Sequence, residues 1–331
     1  MKVLTYGEML LRLRAPLHER LLQSNYLETT VGGSEANVAI SLANYGMDAS
    51  YLSIVPDNAL ARHGIGELRR YGVNTDKVIY KPGRLGLYFI EDGSGYLPSK
   101  VVYDRAYSAM SLAGPSDIDW DAVLEGIDLL HISGITLSLS ESLTELSLEG
   151  IREAKKRDIQ VSCDLNYRKN LWKYGADPKK VMAECLNNTD IIIANDEDIF
   201  CTTGIEVGPD EKLTCETIQK AFPNVRVIAM NNVKNNKDGS LGWYAGVYSK
   251  GEYYASRVYE IYNYVDRVGG GDAFAAALLY GLDYYDGLKD AVEFATAASC
   301  LKFSIVGDYN RISVSDAENL IASGENSSLQ R

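Results

Sequence analysis

Asp266-Arg267-Val268-Gly269-Gly270-Gly271-Asp272-Ala273-Phe274-Ala275-Ala276-Ala277-Leu278 is the stretch on which the fold turns. Three glycines lead into an aspartate, and an apolar run follows. Glycine lets backbone approach a ligand closely and leaves its N–H unobstructed. A helix that opens here presents unpaired N–H donors and a partial positive charge, an arrangement that holds a phosphate. A carboxylate beside that phosphate can accept the proton of a hydroxyl. The pattern predicts a helix over Asp272–Leu282, with Gly269, Gly270 and Gly271 as an anion cradle and Asp272 as a base. The same residues would also suit an ordinary loop with an aspartate cap, so the rest of the chain has to decide.

Outward from this stretch, strand-like and helix-like segments alternate. Strands are predicted at Lys2–Tyr6, Ser50–Val55, Ile127–Ile132, Ile159–Cys163, Asp190–Ala194 and Val225–Met230. Helices are predicted at Glu35–Tyr45, Asn58–Tyr71, Glu141–Lys156 and Leu288–Phe303, the first two stopping at Gly46 and Gly72 as C-terminal caps. Such alternation specifies an α/β fold with a mostly parallel sheet between helices. One region departs from it. Between Val73 and Ala113, Leu85–Glu91 and Lys100–Tyr103 alternate as strands about a turn at Asp92-Gly93-Ser94-Gly95. With Leu10–Arg14 they predict a small β element inserted in the α/β core, which would serve as a lid or a dimer surface; a long decorated hairpin without function is the other reading.

Composition narrows the function. The 331 residues carry a net charge of −12 and 46% apolar residues, enough for a large core and adverse to nucleic-acid binding through a basic surface. An anionic ligand would therefore need positive groups concentrated locally. The five cysteines, Cys163, Cys185, Cys201, Cys215 and Cys300, show no metal-type spacing. They read as reduced thiols of a cytoplasmic protein. The apolar run Ala273–Leu282 is half a membrane span, so no membrane association is expected. No G-x-x-x-x-G-K-[ST] segment occurs.

Ligand-type residues cluster at predicted strand ends, where open parallel sheets bind ligands. They are Gly32-Gly33-Ser34-Glu35-Ala36-Asn37, Asp164-Leu165-Asn166-Tyr167-Arg168 and Asn195-Asp196-Glu197-Asp198. Val31–Ala39, with Leu42-Ala43 and Gly46, resembles the N-terminal signature of the ribokinase-like (PfkB) carbohydrate kinases. Asp266–Phe274 resembles their C-terminal signature. The resemblance spans essentially the whole chain. It implies one ribokinase-like domain over 1–331, with the lid drawn from about 10–30 and 73–113. Within the family, Gly86-Leu87-Tyr88-Phe89, Tyr103-Asp104-Arg105-Ala106-Tyr107-Ser108-Ala109, Asp164–Arg168 and Gly307-Asp308-Tyr309-Asn310 resemble the 2-keto-3-deoxygluconate kinases. Two positions depart from the family pattern. Gly270 stands where alanine is usual, and Asp198 ends an Asn-x-x-Glu motif in place of glutamate.

The resemblance implies ATP-dependent phosphorylation of a sugar acid, with Asp272 as base. Gly33, Tyr88, Tyr103, Arg105, Arg168 and Asp308 would hold the sugar acid, with Asn37 in support. A guanidinium suits the carboxylate that a neutral sugar lacks, although Arg105 could instead make a structural ion pair. Asn166, Arg168, Asn195, Asn232, Gly269 and Gly271 would face ATP. Mg²⁺ would be held indirectly through Asp198 or Glu197. A monovalent cation stays open as a third cofactor. Asp272, at a helix start, is expected to favour its ionised form. The lid would exclude water and pair with a second copy of the chain. The other readings are a kinase for a neutral sugar such as fructose or ribose, and a non-catalytic sugar-binding regulatory protein.

Overall fold

Apolar residues on both faces of successive strands make the middle of this molecule a covered sheet. Val3, Leu129, Ile191, Ile193 and Ala229 pack against Phe274, Leu278 and Phe294 on one side. Their alternate neighbours Leu4, Leu130, Ile132, Val161, Ile192 and Ile228 pack with Leu143, Leu146 and Ile151 on the other. Strands buried on both faces are the mark of a parallel sheet between helix layers. The computed structural model, which describes residues 1–93, 96–237 and 239–323, shows this arrangement. Asp48–Leu52, Lys2–Tyr6, Leu129–Ser133, Gln160–Asp164, Ile191–Ala194 and Val227–Asn235 are neighbours in that order, all parallel. Leu241–Ser249 joins antiparallel and carries Glu252–Ala255 and Tyr259–Ile261.

The second sheet runs Glu28–Gly32, Leu10–Arg14, Gly86–Glu91, Lys100–Asp104. Its middle pair is parallel and its outer pairs antiparallel. Of the expected turn in it, Ser94 and Gly95 lie outside the described residues. This sheet is joined to the core without a linker. Glu28–Gly32 passes through Gly33 directly into the helix Ser34–Asn44. Gly33 has φ +134°, and a Cβ there would overlap the carbonyl oxygen of Glu8, so only glycine fits the junction.

Two segments differ from expectation in ways that matter for the site. The last helix of the quoted stretch spans Gly270–Tyr284, so Asp272 lies within its first turn rather than opening it. Gly269, at φ +81°, is the cap. The strand expected to stop at Met230 continues to Asn235. Antiparallel pairing with Leu241–Ser249 supports it past the apolar run, and Asn232 therefore lies within a strand instead of following one. Among the described residues no helix is long and apolar enough to cross a membrane, and all five cysteines are free thiols.

Candidate active site

The carboxyl ends of the parallel strands, the glycine turn and the lid enclose a cavity of about 310 Å³. Gly33, Asn37, Tyr88, Tyr103, Arg105, Asn166, Arg168, Gly269, Gly270, Gly271, Asp272 and Asp308 all contribute to its wall. Asn195, Asn232, Glu197 and Asp198 do not line it.

Asp272 forms its floor. Its side chain is held at both oxygens: Ser34 Oγ donates to Oδ1 and Asn37 Nδ2 to Oδ2, each at 2.7 Å. Both donors come from the first turn of Ser34–Asn44, so that helix aims the carboxylate. Burial raises the Asp272 pKa above the ordinary carboxylate value, and the hydrogen bonds from Asn37 and Ser34 oppose the rise. The net direction is opposite to the one expected from the helix dipole. Removing a carboxylate from water costs more than a helix terminus returns. Beside Asp272, the N–H groups of Gly271 and Asp272 find no protein acceptor among the described residues. They are the unpaired donors of a helix start and face an anion-sized space.

The sugar-side candidates fall into two groups. Tyr88 and Asp308 are locked together, the Tyr88 hydroxyl lying 2.7 and 2.6 Å from the two Asp308 oxygens. Burial moves both pKa values upward. Arg105 and Arg168 supply positive charge to an otherwise acidic chain. Arg105 is 6% exposed and its Nε donates to Glu8 Oε2 at 2.5 Å. Among the described residues its Nη atoms make no hydrogen bond, so the fork that suits a carboxylate remains free. The expected ion pair therefore exists, and it orients the guanidinium without using it up. Arg168 is exposed and forms no close ion pair among the described residues, although its charge acts on Asp164, Asp198 and Asp272. Its Nη1 donates to the Tyr167 carbonyl at 3.0 Å.

Asp198 departs most from the expected role. Its Oδ2 accepts from the Asn195 N–H at 3.2 Å while Asn195 Oδ1 accepts from the Asp198 N–H at 2.9 Å. This is a capping box. Oδ1 accepts from the Tyr167 N–H at 2.8 Å, tying the Asn166–Arg168 loop to the helix Asp196–Thr203. Both oxygens are thus engaged by backbone, and Glu197 is exposed. Asn232 Nδ2 donates to Glu211 Oε1 at 3.1 Å. No group of three His, Cys, Asp or Glu residues among the described residues converges on a metal position. A Mg²⁺ that keeps its waters and arrives on phosphates suits such a wall. Asn37 Oδ1 and Asn166 Oδ1, both buried and unpartnered, offer acceptors for such waters or for hydroxyls. Asn166 adopts φ +37°, and its Nδ2 reaches Asp164 Oδ2 at 3.3 Å.

Four contributors escaped the sequence reading. Ser34 stands inside a quoted motif, yet its hydroxyl gave no sign of an Asp partner 238 residues away. Glu8, between the strands Lys2–Tyr6 and Leu10–Arg14, and Arg12, within the second, are buried charges where solvent exposure is the ordinary expectation. Lys302 is fully buried at the end of the helix Leu288–Lys302.

Comparison with known proteins agrees with this geometry. The model of the pfkB family carbohydrate kinases matches residues 1–313. A 2-dehydro-3-deoxygalactonokinase of Haloferax volcanii is 30% identical over 324 residues, covering 98% of this chain and 98% of that protein. A 2-dehydro-3-deoxygluconokinase of Thermoproteus tenax is 30% identical over 326 residues, covering 95% and 92%. The crystal structure of a 2-dehydro-3-deoxygluconokinase from Thermotoga maritima is 41% identical, with a TM-score of 0.92 over 98% of this chain and 100% of that one. On a family match that runs almost end to end, over a cavity that gathers the residues of both signatures, this chain belongs to the pfkB family of carbohydrate kinases.

Proposed function

We propose that the chain phosphorylates a 2-keto-3-deoxy sugar acid with ATP, 2-keto-3-deoxygluconate being the substrate and its 6-phosphate the product. The observation that carries this is the pairing, in one cavity, of a doubly held carboxylate beside unpaired helix N–H donors with an arginine whose Nη atoms are free. The first suits phosphoryl transfer to a hydroxyl, the second a substrate bearing a carboxylate. The relatives named for keto-deoxy sugar acids support it. A neutral sugar would leave the Arg105 fork unmatched, and a non-catalytic protein would have no use for so closely oriented an Asp272.

In this mechanism Asp272 accepts the proton of the terminal hydroxyl as that oxygen attacks the γ-phosphorus. Its buried, raised pKa makes it a better proton acceptor than a solvated aspartate. The N–H groups of the Gly269–Asp272 turn stabilise charge on the transferred phosphoryl group. Mg²⁺ accompanies ATP and neutralises its phosphates. Arg105, Tyr88, Tyr103, Asp308 and Gly33 hold the sugar acid; Arg168 and Asn166 face the triphosphate. Asn195, at the end of Ile191–Ala194, and Asn232, within Val227–Asn235, lie outside the cavity wall and would border the nucleotide from the adjoining strands. The lid covers the sugar and keeps water from the phosphoryl group. The lid region exposes Leu17, Leu22, Tyr96 and Val102, apolar surface with which a second copy of the chain would pair; sedimentation velocity at twice the chain mass tests this. The unpaired thiols suit a cytoplasmic enzyme. Replacing sodium by potassium in the assay reads any monovalent-cation requirement.

A coupled ADP-release assay over 2-keto-3-deoxygluconate, its galactonate epimer, fructose and ribose tests the proposal. The keto-deoxy acids are expected to turn over with kcat/KM at least about a hundredfold above the neutral sugars, as a lost charge-assisted contact to a buried guanidinium implies. Equal rates on fructose would reject the substrate class.

A further inference from the structure

Arg12 belongs to the lid strand Leu10–Arg14, yet it is 1% exposed. Its guanidinium joins two carboxylates from different loops. Nη2 donates to Asp266 Oδ2 at 2.7 Å and Nη1 to Asp308 Oδ1 at 2.9 Å. Each carboxylate controls one half of the cavity. Asp266 stands just before the glycine turn and shapes it: its Oδ1 accepts from the Val268 N–H at 3.0 Å, and its Oδ2 from the Gly307 N–H at 3.1 Å. Asp308 lies in the sugar-side wall and shares its oxygens with the Tyr88 hydroxyl. Lys302 completes the cluster. Its Nζ donates to the Ile305 carbonyl at 3.0 Å, and its stem passes beneath Gly269.

Two buried cations thus face two buried carboxylates. Buried ion pairs contribute little net stability, because desolvation offsets their attraction. A cluster of this kind at the joint between lid and cradle is better explained by what it positions. A guanidinium is rigid, and its planar fork holds two partners at fixed separation. Any shift of Asp308 on sugar binding must move Asp266, or strain the fork, and Asp266 holds the Val268 N–H that leads into the cradle.

We propose that Arg12 is a positioning residue that couples the sugar site to the phosphate cradle, so that sugar binding orders the glycine turn and raises nucleotide affinity. This rests on the function proposed above and adds a path between its two substrates. The sequence of contacts is Tyr88 and Asp308, Arg12, Asp266, Val268 N–H, glycine turn. Arg12 itself does not line the cavity.

The test is a linkage measurement. Calorimetry gives the affinity of a non-hydrolysable ATP analogue with Mg²⁺, without sugar and with saturating sugar, for the wild type and for Arg12→Lys. Lysine keeps the charge but cannot bridge both carboxylates. In the wild type, sugar is expected to tighten the analogue by between about fivefold and 150-fold, the usual range of coupling. In Arg12→Lys the ratio is expected to fall below about twofold, while each ligand alone binds within about threefold of wild type. A wild-type ratio near one, or a full ratio in Arg12→Lys, overturns the proposal. A second measurement needs no variant. Amide exchange of the Val268–Gly271 segment in the wild type should slow when sugar alone is added, and unchanged exchange would contradict the coupling. The sugar used is whichever panel member turns over, so a wrong substrate assignment fails in the turnover assay and leaves the coupling test intact.

Discussion

Replacing Gly269 by alanine should damage catalysis through geometry alone, since no functional group is lost. Gly269 has φ +81° and ψ +1°, a left-handed conformation that costs an L side chain about 1–2 kcal/mol. The added Cβ would overlap the carbonyl oxygen of Asp308 and lie 3.0 Å from its carbonyl carbon and 3.3 Å from Lys302 Cε. The Asp308 backbone cannot yield freely, because its side chain is bound to Arg12 at 2.9 Å and to Tyr88. Overpacking against a fixed neighbour adds about 1–3 kcal/mol, so the total loss of stability is about 2–5 kcal/mol. To relieve the overlap, turn and loop must separate by on the order of 1 Å, and misplacement of that size costs about a hundredfold in rate. Gly271→Ala is the control for stability alone, since Gly271 itself lines the cavity. A Cβ there meets nothing within 4 Å, and alanine inside a helix gains roughly 0.5–1 kcal/mol over glycine. Thermal unfolding and ADP release on the two variants check this. Gly271→Ala should melt at or above wild type, whereas Gly269→Ala melts lower and turns over about a hundredfold more slowly. A Gly269→Ala enzyme with wild-type melting and turnover would refute the account of the turn.

Other perturbations separate roles within the site. Arg105→Ala should raise KM for the sugar acid roughly 10- to 100-fold, the worth of a charge-assisted hydrogen bond, and leave KM for ATP nearly unchanged; equal effects on both would assign Arg105 to structure alone. Lys302 predicts an alkaline limit. Burial lowers its pKa to about 8, against the pull of Asp266, Asp308 and Asp272, with Arg12 adding to the fall. Above that pH the ammonium becomes neutral, the cluster carries net negative charge behind the phosphate cradle, and kcat/KM for ATP should fall; Lys302→Met should lack this limb. The stability effect has the opposite sign. A folded pKa of about 8 below the ordinary 10.5 means that wild-type stability relative to Lys302→Met rises between those two pH values, which chemical denaturation at each pH reads. Asp198→Asn should lower stability by about 1 kcal/mol through a weakened cap and leave the Mg²⁺ concentration for half-maximal rate unmoved. A marked shift in that concentration would restore a metal role to the carboxylate.

The central sheet was legible because Leu129, Leu130 and Ile132 around His131, and Ile191–Ala194 without a break, put apolar residues on both faces of short segments, as a strand covered on both sides requires. The end of Val227–Asn235 was not, since its last residues are held by an antiparallel neighbour and need no apolar face. That the glycine turn leads into a helix start with Asp272 beside it was legible from local spacing. What fixes them was not, because Ser34, Asn37 and Asp308 come from distant segments. Arg12 illustrates the limit well. Alternation along Leu10–Arg14 places Arg12 on the face of Leu10, and a charge there reads as solvated unless its two carboxylate partners, 254 and 296 residues away, are known to converge. The backbone contacts of Asp198 were hidden for the converse reason. Its one-methylene shorter reach, which weakens it as a metal-water holder, fits it to the Asn195 and Tyr167 N–H groups close by.

The claim on which the mechanism stands is that Asp272 takes the proton of the acceptor hydroxyl. Asp272→Asn is nearly isosteric and can keep both hydrogen bonds, with its amide oxygen toward Asn37 and its amide nitrogen toward Ser34. Turnover by ADP release, alongside sugar affinity by calorimetry, measures the carboxylate alone. The account predicts unchanged affinity and a kcat lowered by about 10²- to 10⁴-fold; an asparagine enzyme turning over within a few-fold of wild type would contradict it.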